Sequence, residues 1–170
     1  MADFNFDELR GAFARRDIID PGEDSNYKRL LMKTAERLMN TELFRLGFVA
    51  QDPSSSVISV EYPYFAVYPA ALPETERSNV ANLKTYSALI LMSLVDENPF
   101  RGVCRILAVN EKAEEACRTK QLIPLRDGDL HENTLLDTTP YVMAEGTGGQ
   151  MMFSTGFRVR YEVTEPRREE

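Results

Sequence analysis

Two stretches of this chain alternate apolar with polar or small residues over unusual lengths. In MMFSTGFRVRYEV, residues 151 to 163, one face carries Met151, Phe153, Thr155, Phe157, Val159, Tyr161 and Val163, and the other carries Arg158, Arg160 and Glu162. A period of two over this span predicts a β-strand about 43 Å long, more than twice the usual strand length. The second stretch is LKTYSALILMSLVDE. Leu83, Thr85, Ser87, Leu89 and Leu91 form one of its faces, and Tyr86, Ala88, Ile90, Met92 and Leu94 the other. Apolar groups on both faces predict a strand covered on both sides toward its C-terminal half.

Elsewhere the period is helical. In DSNYKRLLMKTAERLMNTELFRLG, Tyr27, Leu30, Leu31, Ala35, Leu38, Met39 and Leu46 recur at helical spacing, with Asp24 or Ser25 placed to cap the start. Gly47 is placed to end the helix in the left-handed conformation, which predicts about six turns. A second helix is expected from Asn98-Pro99 to about Lys120, on Val103, Ile106, Leu107, Ala113 and Cys117. For VCRILAV the alternative is a strand followed by a helix capped by Asn110.

VISVEYPYFAVYPAA should hold a strand within 57 to 70, kept short or at an edge because Pro63 and Pro69 lack the N–H of a central ladder. LIPL, 122 to 125, and a segment within 134 to 144 are further strand candidates. QDPSSS at 51 to 56, the polar LPETERSNVAN and RDGDLHEN are read as connections. EGTGG, 145 to 149, then turns into the long strand as a hairpin. The expected fold is α+β: a mainly antiparallel sheet with two helices on one face, closing on the long C-terminal strand.

The organisation follows from these elements. Residues 1 to 23 form an N-terminal arm, with Phe4, Phe6, Leu9 and Phe13 set among Arg10, Arg15 and Arg16 before the Pro21-Gly22 turn. Residues 24 to 164 make a single domain, and 165 to 170, EPRREE, a charged disordered tail. At 170 residues the chain can bury a core without staples. A net charge of −7 argues against a broad nucleic-acid or anionic-membrane surface, and no stretch approaches the ~20 apolar residues of a membrane span. Two cysteines, Cys104 and Cys117, make no disulfide framework and are read as two small buried hydrophobes.

Candidate chemistry is thin. The one histidine, His131, lies in a polar stretch with no partner at a recognisable catalytic spacing, and it reads as a solvated loop residue. Asp127, Asp129 and Glu132 around Gly128 lack the length and the bidentate glutamate of a calcium loop. EGTGGQ has no following Lys with Ser or Thr and precedes a strand, so a hairpin outweighs a phosphate cradle. No cofactor, metal or catalytic constellation is expected; the residues singled out are arginines suited to a subunit interface, Arg10, Arg15, Arg16, Arg158 and Arg160.

The helix DSNYKRLLMKTAERLM, the pair FAVYPAALP and YSALILMSLVDENP, the helix ending in NEKAEEAC and the strand FSTGFRVRYEV together resemble the tail terminator proteins of tailed bacteriophages. The resemblance spans about residues 24 to 164 and lies in pattern, which several neck and tail-adaptor families share. The 1 to 23 arm and the long stretch from Arg126 to Pro140 depart from it. It implies a non-enzymatic virion protein, made in the host bacterial cytoplasm. Such a protein forms a homohexameric ring that caps the tail tube and meets the head connector, with possible sheath contacts and DNA sliding through an acidic lumen without specific binding. The alternatives are another neck or baseplate adaptor, or a small cytoplasmic ligand-binding or enzymatic domain with Tyr62, Tyr64, Tyr68 and Tyr86 lining a pocket.

Overall fold

Ser25 has extended backbone, and its hydroxyl accepts a hydrogen bond from the Lys28 N–H at 3.0 Å, so the expected cap starts helix α1, Asn26–Met39. The computed structural model describes residues 18–19, 25–49, 61–70, 73–77, 81–118, 129–138, 143–145 and 149–166. The expected loop at 51–56, the LIPL strand at 122–125 and Arg10, Arg15 and Arg16 lie outside them.

α1 has 14 residues, about four turns rather than six. The Asn40 N–H closes onto the Glu36 carbonyl, and Glu42 takes a positive φ of 61°. The chain thereby leaves the helix before Leu46–Val49, which forms strand β2 with all four residues buried, and Gly47 sits inside that strand. Leu43, Phe44 and Leu46 fit helical spacing equally well, but burial on both sides of a sheet decides the local conformation. Ile18–Ile19 forms a short strand, β1, beside β2, so these two residues within the expected arm belong to the sheet.

The remaining strands are β3 (Tyr64–Pro69), β4 (Glu74–Arg77), β5 (Ala81–Asp96), β6 (Asp129–Thr138), β7 (Met143–Glu145) and β8 (Met151–Pro166). Their order is β1-β2-β3-β5-β8-β6. β4 continues the β3 rank along β5, and β7 continues the β6 rank along β8. β1, β2 and β3 run parallel and the other pairings are antiparallel, so the α+β class holds with a mixed sheet.

Several expectations change in register. β3 is short, as its prolines require, yet it is central, flanked by β2 and β5; Pro63 precedes it and Pro69 is its last residue. β4 lies within the polar stretch read as a connection, and β6 begins at Asp129, so His131 is in a strand at a bulge between Leu130 and Glu132. The β7–β8 hairpin is formed as expected, with Gly149 at φ 94° in its turn. β8 reaches Pro166, and Glu165 accepts from Tyr86 Oη at 2.9 Å and Asn26 Nδ2 at 3.1 Å, so the first residues of the expected tail are ordered strand.

The long strand's length has a local explanation. β5 pairs with it residue by residue, from Ala81 opposite Pro166 to Asp96 opposite Met151. β6 takes the other edge from Phe157 to Thr164, and β7 from Met152 to Ser154. Unpaired length is therefore not what this strand offers a neighbour. Its backbone is largely spoken for within the chain.

Both helices lie on one face. α2, Pro99–Arg118, is capped by Asn98, whose Oδ1 accepts from the Arg101 N–H at 3.1 Å, and the strand alternative for VCRILAV is not formed. Leu30, Leu38, Ile106 and Val109 pack against Phe65, Ile90, Phe153, Phe157 and Tyr161, all essentially inaccessible to solvent. Gly102 lets α2 approach: a Cβ there would stand 2.2 Å from the Phe153 ring. Within this layer, Thr34 bonds the Leu30 carbonyl at 2.7 Å and the Tyr161 hydroxyl, satisfying a buried phenol.

Candidate interaction surfaces

Where β5 meets α2, a carboxylate is enclosed by two guanidinium groups. The Asp96 side chain is fully buried; Arg101 donates to both its oxygens at 2.8–3.1 Å, Arg105 Nη1 donates to Oδ2 at 2.6 Å, and the Asn98 N–H to Oδ1 at 2.8 Å. Burial alone would push this carboxyl up, but the bonds from Arg101 and Asn98 and the Arg105 charge outweigh it and hold it below its ordinary value. The cluster fixes the corner at which the chain turns from strand to helix.

That corner aims α2. Its buried side is Gly102, Ile106, Val109, Ala113 and Cys117, at spacings of three and four. Opposite runs a second stripe, Phe100, Cys104 and Leu107, continued by Glu111 and Glu115. Phe100 is 68% exposed and Leu107 51%. Leu107, expected in the core, thus points outward, because the helix register is set by Gly102 against Phe153.

The sheet's other face is also open. Ser93 is buried there and shares a hydrogen bond with Ser154 at 2.8 Å, but Leu91 is 39% exposed and Leu89 half-buried, so cover on both sides of β5 does not extend to its middle. Tyr64 and Tyr68 of β3 lie on this face beside them, with Tyr64 edge-on to Phe48 at 5.9 Å. Arg158 is opposite Leu89 and Arg160 opposite Ser87 on the same face. Arg158 is exposed, and Arg160 Nε lies 3.8 Å from Glu162.

These positions bear on the residues singled out from the sequence. Arg158 and Arg160 are brought together on an outward face, beside apolar groups. The four tyrosines do not line one pocket: Tyr86 is on the helix side, edge-on to Tyr27 at 5.0 Å, while Tyr64 and Tyr68 are across the sheet. Asp96, Arg101 and Arg105 were not singled out, and neither was the Phe100–Leu107 stripe. The available signals were two arginines four apart after an aspartate, and apolar residues on both sides of one helix.

The cysteines part company as well. Cys104 is exposed and Cys117 buried, and burial pushes the Cys117 thiol up to about 12. In dilute solution at pH 8, iodoacetamide should therefore alkylate Cys104 alone, with Cys117 labelled only after denaturation. Peptide mass spectrometry reads both sites, and native labelling of Cys117 would contradict its burial.

No protein-family model matches the chain, and no curated protein matches it. Among solved structures, it is similar to a chain in the virion of a native gene transfer agent (GTA) particle, at 13% identity and a TM-score of 0.42, covering 67% of this chain and 77% of that one. Among the described residues, no helix is long and apolar enough to cross a membrane.

Proposed function

We propose that this protein is a structural component of a bacteriophage-type virion, and more narrowly a tail terminator that caps the tail tube as a ring and joins it to the head connector. It works by its surfaces rather than by chemistry. The observation that carries this reading is the pair of outward apolar surfaces, Phe100 with Leu107 on the helix layer and Leu89 with Leu91 on the sheet, each bordered by charge. Contiguous apolar surface rimmed by charge marks an interaction site. Helix, strand pair, helix and long closing strand also follow one another in the order that suggests the terminator pattern.

Particles assembled without this chain should carry tails of uncontrolled length and heads that fail to attach. Electron microscopy of a deletion lysate, with the chain restored in trans, reads both. Normal tails joined to heads in the deletion lysate would overturn the terminator role. Absence of the chain from purified wild-type particles would overturn the virion reading altogether.

A further inference from the structure

We draw no further inference here: the strongest candidate, the outward apolar stripe of Phe100 and Leu107 on α2, carries nothing beyond the proposed function, because nothing in the structure shows what covers it.

Discussion

Asp96→Ala is expected to lower the unfolding free energy by about 3–5 kcal/mol at pH 7, the usual result of removing one partner from a buried ion cluster. Arg101 and Arg105, with side chains only 23% and 20% exposed, would be left facing each other without their shared carboxylate, and the Asn98 N–H would lose its acceptor. Asp96→Asn should fare only a little better, since it keeps the shape but not the charge. The effect has a defined pH dependence. Because the folded carboxyl sits below its ordinary value of 3.8, its contribution is complete above that value and is lost as pH falls through the depressed one. Urea titrations from pH 7 to pH 3 should show the gap between natural protein and Asp96→Asn steady down to about pH 4 and narrowing below it. A loss under about 1 kcal/mol at pH 7 would show that the corner holds without the cluster.

The second large effect belongs to Gly156, in the middle of β8. A Cβ at that position would stand 2.2 Å from the Ile90 carbonyl oxygen and 3.0 Å from Leu91 Cδ2. The oxygen is part of the β5 backbone and cannot rotate away, so the central pair of strands must separate or bend. Gly156→Ala should therefore lose about 3 kcal/mol, at the upper end of ordinary overpacking costs. Arg158→Ala, two residues on along the same exposed face, should change stability by less than about 0.5 kcal/mol and serves as the comparison. If both variants melt like the natural protein, the two strands have more freedom than their register implies.

The sequence shows some of this architecture and hides the rest, for reasons that particular residues make plain. β5 and β8 are legible because one face of each is continuously buried, which imposes a clean period of two. Ser25 and Asn98 are legible because their cap chemistry is local. The end of α1 is not, since the reversal is made by Glu42 with a positive φ and by neither Gly nor Pro. β4, four exposed polar residues, is a strand only because β5 extends beyond β3 and offers it an edge. Arg37 lies outside the apolar period of α1, yet it is only 5% exposed, near Cys117 and Tyr161.

The surfaces show the same division. Arg158 and Arg160 could be singled out because alternation in β8 puts them opposite its buried side. The outward stripe of α2 could not, because Phe100 and Leu107 are indistinguishable by type from core residues until Gly102 fixes the rotation of the helix. The Asp96 cluster joins residues five and nine positions apart across a strand-to-helix corner, a spacing that belongs to no single element.

The pairing of β5 with β8 also governs how the chain is made. β5 is complete at Asp96, and its partner begins only at Met151. At about 5–20 residues per second, a ribosome leaves the longest apolar strand waiting several seconds for the strand that completes the centre of the sheet. During that interval Tyr86, Ala88, Ile90 and Met92 depend for shelter on α1, already synthesised, and then on α2 as it emerges. Nascent chains halted before residue 151 should therefore be the species that engages holdase chaperones, and a frameshift at the Met151 codon should be as damaging as one within β5.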